Sequence, residues 1–124
     1  DVTGFGLLGH LREMVASNNN AALINLDAVP VIQGTWELLE HGIVPGGTER
    51  NLSYLDNLVE WPAKIDKAAR LLLCDAQTSG GLLISVAKEK ESDLISALQA
   101  HSVLASTKIG KITEGTNNKI SVTP

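Results

Sequence analysis

DVTGFGLLGH, residues 1–10, opens the sequence and places three glycines where an amphipathic helix begins. Glycine costs about 1 kcal/mol relative to alanine inside a helix, so this start needs a physical reason. A helix N-terminus carries unpaired backbone N–H groups and a partial positive charge, and it can hold an anion when side chains stay away. The stretch therefore predicts a phosphate-binding helix start. Gly4 and Gly6 would keep the backbone open, and Thr3 would either cap the helix or donate to a phosphate oxygen.

A structural explanation of the same residues stays open. Gly6 and Gly9 also permit close helix packing, and Thr3 can serve as a simple N-cap. The role of Asp1 depends on what lies beside it. Next to a phosphate it suits Mg²⁺, which prefers one or two carboxylates together with phosphate oxygens and waters. Without a phosphate it is expected to be an exposed carboxylate or a partner of the helix dipole.

Composition restricts the chain to a few classes. Its 124 residues and 44% hydrophobic content predict one domain with a single packed core, filled by aliphatic side chains because aromatics make up only 3%. The net charge of −4 argues against nucleic-acid binding, which needs clustered Lys and Arg. The single cysteine, Cys74, excludes an internal disulfide. No run approaches the ~20 apolar residues of a membrane span, so we expect a cytoplasmic protein without a membrane partner.

Helical and strand-like patterns alternate in the first half of the chain. Apolar residues at helical spacing predict a helix from Thr3 to the SNNN stretch at residues 17–20. AALINL (21–26) predicts a strand, and VIQGTWELLEHG (31–42) predicts a second helix. The turn formers and polar residues of IVPGGTERNLSYL (43–55) predict an irregular functional loop.

The second half continues the alternation. PAKIDKAARLLLCDA (62–76) predicts a helix, LLISVA (82–87) a buried strand, and KEKESDLISALQAH (88–101) an amphipathic helix. Residues 106–115 and 119–123 predict an antiparallel hairpin joined by a Gly/Asn turn. The mixture predicts an α+β domain with helices packed on a mixed β-sheet.

Two further glycine-rich stretches are candidates for ligand contact. DAQTSGG (75–81) carries two hydroxyls and a double glycine, which suits close approach to a ligand, although an ordinary helix-to-strand turn fits it as well. PGGTERN (45–51) adds Arg50, whose guanidinium can clamp a carboxylate or phosphate unless it is solvated or paired with Glu49. The sequence contains no Walker A, zinc or serine-nucleophile pattern, and Cys74 in its apolar run reads as a buried thiol.

Together these stretches resemble one family. DVTGFGLLGHLREM (1–14), PGGTERN (45–51) and DAQTSGGLL (75–83) follow one another as in the C-terminal domain of the selenophosphate synthetases (selenide, water dikinases), within the aminoimidazole ribonucleotide synthetase superfamily. The intact GFGLLGH is the most specific of the three signals. One position departs from the family pattern, in which proline is expected after the aspartate of D-x-Q-T-S-G-G. Here Ala76 frees φ and restores an N–H, so the turn is expected to be looser.

The resemblance implies an enzyme that uses ATP, selenide and water, with Mg²⁺, to make selenophosphate, AMP and orthophosphate. Residues 1–124 would be a single domain with the fold of the aminoimidazole ribonucleotide synthetase C-terminal domain, and would form the C-terminal half of a two-domain enzyme. The N-terminal half, absent from this sequence, would supply most metal-binding aspartates, a reactive Cys or selenocysteine and a lysine, and would form most of a homodimer. No catalytic residue is therefore expected in this chain, and alone it is expected to be inactive.

The resemblance also implies the site residues. The aspartate that opens the DVTGFG motif is a metal ligand in the family, which gives Asp1 that role. The residues expected to line the ATP phosphate cleft are Thr3, Gly4, Gly6, Arg50, Thr78, Ser79, Gly80 and Gly81. Two other functions stay open: a sister ATP-using enzyme of the superfamily, such as thiamine monophosphate kinase, and a non-catalytic nucleotide-binding or interaction module.

Overall fold

Helices packed on a four-stranded mixed sheet make up the part of the chain that a computed structural model describes, residues 1–17, 19–115 and 117–124. The helices are α1 (Gly6–Ala16), α2 (Thr35–Glu40), α3 (Gly46–Leu55), α4 (Lys67–Leu73) and α5 (Glu91–Ala100). The strands are β1 (Asn20–Asn25), β2 (Val59–Glu60), β3 (Gly110–Glu114) and β4 (Ile120–Thr123). Short 3₁₀ turns span Leu26–Ala28 and Lys88–Lys90. The predicted α+β class is confirmed.

The sheet has the strand order β2-β4-β1-β3. Strand β1 runs antiparallel to β3 and parallel to β4, with Ala22 opposite Ile120. The predicted hairpin of residues 106–115 with 119–123 is wrong, because β1 lies between the two strands that were expected to pair. The Gly/Asn turn predicted to join them includes Thr116, which lies outside the described residues.

The core forms where α1 packs on β1, with β4 beside β1 in the sheet. Helical spacing buries one face of α1, at Leu7, Leu8, Leu11 and Val15. Alternation along the two strands buries Ala22, Ile24, Ile120 and Val122. The predictions of this helix and of the first strand are confirmed, except that α1 begins three residues later than Thr3. The SNNN stretch predicted to end it includes Asn18, which lies outside the described residues.

The predicted irregular loop at residues 43–55 is wrong, because most of it is α3. Pro45 adopts an extended conformation at the N-cap position, and the two glycines that suggested a loop occupy the first helical turn. Backbone N–H groups in a first turn need no intrahelical partner, so turn-forming residues are tolerated there. Beyond them, buried Thr48 and Leu55 face the interior and hold the helix against its neighbours.

The predicted buried strand at residues 82–87 is also wrong. No strand pairing involves it within the described residues, and Leu82, Ile84 and Val86 are 70%, 47% and 40% exposed. An apolar run favours burial, but it forms a buried strand only where a neighbouring strand pairs with it and another layer covers it. The following helix is confirmed as a 3₁₀ turn and α5, over nearly the expected 88–101.

Two predicted helices are shorter than expected. Of residues 31–42 only α2 is helical. Of residues 62–76 only α4 is helical, because the side chain of Asp66 caps its start by accepting from the Ala69 N–H at 2.8 Å. Before this segment, Val59–Glu60 form the short strand β2, which the sequence pattern did not indicate.

Candidate functional site

The first and third motif stretches lie side by side. We call residues 1–6 the opening loop and residues 75–81 the TSGG loop. The Val2 N–H donates to the Gly81 carbonyl at 2.9 Å, and the Gln77 N–H donates to the Thr3 carbonyl at 3.1 Å. Backbone hydrogen bonds therefore join two segments that are about seventy residues apart in the chain.

Gly6 lets the two segments approach closely. Its φ is +69°, and a Cβ at this position would stand 2.6 Å from the carbonyl carbon of Cys74 and 2.8 Å from the Asp75 oxygen. Those distances are far shorter than real Cβ contacts, so only glycine fits both the conformation and the space. In this structure Gly6 is buried against protein backbone, and its N–H donates to the Thr3 carbonyl at 3.0 Å. Its close-packing role, one of the two explanations left open above, accounts for this glycine.

The start of α3 brings the second motif stretch onto both loops. Thr48 is fully buried, and its hydroxyl donates to Asp75 Oδ1 at 2.9 Å while accepting from the Ala76 N–H at 3.0 Å. The carboxamide of Asn51 donates to the Gly4 carbonyl at 2.8 Å and to the Cys74 carbonyl at 3.0 Å. Both N–H bonds of Asn51 thus tie the opening loop to Cys74, the residue directly before the TSGG loop. All three motif stretches therefore form one hydrogen-bonded unit.

The two loops present unpaired backbone donors on an exposed surface. Within residues 1–17, 19–115 and 117–124, no acceptor is found for the N–H groups of Gly4, Phe5, Thr78 and Ser79. A Cβ on Gly4 would meet nothing within 4 Å, so the space beside it is open. Adjacent unpaired N–H groups suit a negatively charged ligand. The arrangement is chemically suited to bind phosphate oxygens.

The predicted capping role of Thr3 is wrong. The N-cap of α1 is Phe5, and no side chain caps this helix. The Thr3 hydroxyl instead lies 3.0 Å from Nε2 of His10, just over one turn into the helix. Because the chain turns between Thr3 and Gly6 before the helix starts, the hydroxyl reaches along the helix surface rather than to its first N–H groups.

Asp1 is exposed at the start of the opening loop. No group of three or more His, Cys, Asp or Glu side chains that could hold a metal ion occurs in the described part of the chain. A closed protein cage is therefore not present there. A single exposed carboxylate fits Mg²⁺ only if other groups complete the shell of the ion. This is how Mg²⁺ usually binds, with one or two carboxylates together with phosphate oxygens and waters.

Arg50 is exposed on the first turns of α3. Its guanidinium folds back over the glycines of its own helix, with Nη1 3.4 Å from where a Gly46 Cβ would stand. Gly47 in turn faces the TSGG loop, since its Cβ position lies 3.1 Å from the Ala76 Cβ. Arg50 makes no ion pair within the described residues, with Glu49 or any other carboxylate. Its charge is thus available next to the TSGG loop.

Cys74 directly precedes the TSGG loop in the chain and is fully buried. Burial, and secondarily the negative charge of Asp56, raises the pKa of its thiol to about 12. The thiolate is the reactive form, so this cysteine is inert at neutral pH. Its expected role as a buried thiol is confirmed.

A groove of about 730 Å³ lies elsewhere, between α3 and α4, and no candidate residue lines it. Of the two cationic side chains that line it, Lys67 and Arg70, the second is already used within the fold. The Nε of Arg70 donates to the Ile65 carbonyl at 3.1 Å, and its guanidinium lies 5.3 Å from the centre of the Trp61 ring. The opening and TSGG loops are therefore the better candidate site.

The sequence profile of the C-terminal domain of AIR synthase related proteins matches residues 1–123. The chain belongs to this family. The family assignment confirms the superfamily inferred from the three motif stretches, and places the two loops and α3 within a known domain type.

Three curated relatives of this AIR synthase related domain carry the same name. The chain is 44% identical over 122 residues to a "Selenide, water dikinase" of Carboxydothermus hydrogenoformans, covering 98% of the chain and 35% of that relative. It is 46% identical over 104 residues to a protein of the same name from Shewanella sp. strain ANA-3, covering 83% of the chain and 28% of that relative. It is 36% identical over 123 residues to a third protein of this name, from Aliarcobacter butzleri, covering 98% of the chain and 35% of that relative. The chain thus spans about a third of the length of these relatives.

Three residues of this AIR synthase related domain were missed by sequence reasoning. Thr48 and Asn51 lie inside the quoted PGGTERN stretch, but only the fold reveals that they reach the two loops. His10 closes GFGLLGH, and its one available signal was the spacing of three residues to Glu13 on the same helix.

Within the described ranges, no helix is both long and apolar enough to cross a membrane.

Proposed function

We propose that this chain is the C-terminal domain of a selenide, water dikinase. The longer enzyme would convert ATP, selenide and water to selenophosphate, AMP and orthophosphate. The observation that carries the proposal is the union of the three motif stretches into one hydrogen-bonded unit, in a chain 44% identical to an enzyme of that name. The reacting groups would come from the upstream half, which would also form a homodimer, and the enzyme would work in the cytoplasm.

The opening loop would bind the polyphosphate of ATP together with Mg²⁺. The carboxylate of Asp1 would be one ligand of the ion, and the unpaired N–H of Gly4 would bind a phosphate oxygen. Bound Mg²⁺ would neutralise charge on the phosphoryl groups. Gly6 would contribute indirectly, by allowing the loop to lie against the TSGG loop.

The TSGG loop would form the adjoining part of the cleft. Thr78 and Ser79 would offer backbone N–H groups and hydroxyls, and the glycines at 80 and 81 would keep bulky side chains out of the cleft. Arg50, free of ion pairs within the described residues, would add a positive charge beside them. Preorganised donors of this kind stabilise charge on phosphoryl groups without rearranging during the reaction.

The proposal is tested by assaying the longer enzyme for AMP formation from ATP with and without selenide. The expected result is AMP formation that requires selenide, and no turnover by residues 1–124 alone. Formation of AMP or ADP that does not depend on selenide but requires thiamine monophosphate would assign the chain to the sister kinases. Tight nucleotide binding without any turnover would favour the non-catalytic module.

A further inference from the structure

His10 is held from both of its ring nitrogens. Its Nε2 lies 3.0 Å from Thr3 Oγ1, and its Nδ1 lies 3.1 Å from Glu13 Oε2. The Phe5 ring lies beside the imidazole, with ring centres 5.7 Å apart. The His10 side chain is only 19% exposed. The imidazole is therefore fixed in place, although it lies on the outer side of α1.

The chemistry of the three groups determines where the protons lie. A carboxylate only accepts hydrogen bonds, so the proton between His10 and Glu13 belongs to Nδ1. A neutral imidazole protonated at Nδ1 has only a lone pair at Nε2. In this neutral tautomer the Thr3 hydroxyl donates its single proton to His10. Its oxygen, which is exposed, then has only lone pairs left for any other partner.

We propose that His10 and Glu13 are positioning residues that hold the Thr3 hydroxyl as a hydrogen-bond acceptor toward the cleft, where it faces a divalent cation or the waters bound to that cation. The inference rests on the proposed function, since it needs the opening loop to lie beside the metal and the phosphates. Phosphate oxygens are themselves acceptors and would repel a lone pair, whereas a cation and its waters attract one. The sequence suggested that the Thr3 hydroxyl donates a hydrogen bond to a phosphate oxygen. In this proposal the hydroxyl instead accepts from the cation side.

The first test measures the tautomer of His10 in the longer enzyme. Long-range ¹H–¹⁵N NMR of histidine-labelled protein, at a pH of ~8 where an ordinary imidazole is neutral, separates the two ring nitrogens. His41 is an internal reference, because its Nδ1 lies 2.7 Å from the Glu37 carbonyl, which is also only an acceptor. We expect protonation at Nδ1 for both rings. In Glu13→Gln, whose amide can donate or accept, His10 alone should lose that preference.

The second test measures Mn²⁺ affinity by electron paramagnetic resonance, with a non-hydrolysable ATP analogue bound to the longer enzyme. We expect Thr3→Val to weaken Mn²⁺ binding about tenfold, as loss of a group near a metal commonly does, and Thr3→Ser to retain it. Thr107→Val, at an exposed threonine far from the motif stretches in sequence, is the matched control and should change nothing.

Two results would overturn the inference. One is a His10 ring protonated at Nε2, alone or together with Nδ1, because Thr3 would then be free to donate to phosphate. The other is an unchanged Mn²⁺ affinity in Thr3→Val. Failure of the proposed function is distinguishable, because it would appear as loss of selenide dependence while the tautomer of His10 stayed as expected.

Discussion

The backbone of Gly6 packs directly on the carbonyl of Cys74, so that a Cβ on Gly6 would stand 2.6 Å from the carbonyl carbon and 2.7 Å from the oxygen. This contact sets the spacing between the opening loop and the TSGG loop. The arrangement of the candidate site therefore depends on a glycine that is buried against protein backbone.

Gly6→Ala should destabilise the chain by about 3 kcal/mol, since a left-handed φ and overpacking each cost roughly 1–3 kcal/mol. Gly42→Ala is a matched control, because Gly42 has a φ of +70° with nothing within 4 Å of its Cβ position. It should cost only the conformational part, about 1–2 kcal/mol. Urea unfolding of both variants measures the difference, and equal losses would show that the close approach does not matter.

Gly80→Ala should separate the two loops. A Cβ on Gly80 would collide with the Val2 carbonyl oxygen and stand 2.5 Å from Gln77 Oε1, whereas one on neighbouring Gly81 meets nothing within 4 Å. We predict that Gly80→Ala raises the KM for ATP in the longer enzyme by about tenfold or more, equivalent to ~1.4 kcal/mol. Gly81→Ala should stay within a factor of a few. A reversed order would mean that the open space beside Gly81 matters more for ATP binding than the close contact at Gly80.

Thr48→Val should cost about 2 kcal/mol of unfolding free energy, although the two side chains are nearly equal in shape. The substitution leaves the Asp75 carboxylate and the Ala76 N–H without the hydroxyl that bonds both of them. Thr48→Ser keeps the hydroxyl and should cost less than about half as much. Chemical denaturation of the three proteins tests this prediction. An unchanged free energy of unfolding in Thr48→Val would mean that the hydrogen bonds of Thr48 do not stabilise the chain.

The Cys74 thiol should be unreactive in the folded chain. Its pKa is raised to about 12, above the ordinary value of ~8.5, so its contribution to stability is complete below that ordinary value and is lost as the pH rises toward 12. At pH ~8, labelling with a thiol-exchange reagent should be at least ~100-fold slower in buffer than in urea. Comparable rates in the two solvents would mean that the thiol is accessible.

The sequence predicted correctly those elements whose hydrophobic periodicity is visible within one continuous segment. α1 and β1 carry clear helical and alternating patterns, and both formed close to the expected residues. α3 was missed because Gly46 and Gly47 suggested a loop, although a first turn tolerates them. The pairing of β3 was missed because strand order depends on β1, which is distant in sequence.

The candidate site was predictable as three motif stretches but not as one unit. About forty residues separate DVTGFG from PGGTERN, and no local rule places Asn51 on the carbonyls of Gly4 and Cys74. Capping preference suggested that Thr3 would bond to the first turn. The fold instead starts the helix at Gly6, which leaves the Thr3 hydroxyl to His10.

The most direct test of the central claim is the Mg²⁺ dependence of selenide-dependent AMP formation in the longer enzyme carrying Asp1→Asn. Asp27→Asn, at another exposed aspartate, is the control. If Asp1 is a ligand of the ion that binds the ATP phosphates, the Asn variant should need at least about tenfold more Mg²⁺ or lose activity, while the control behaves as wild type. An unchanged Mg²⁺ requirement in Asp1→Asn would contradict the claim.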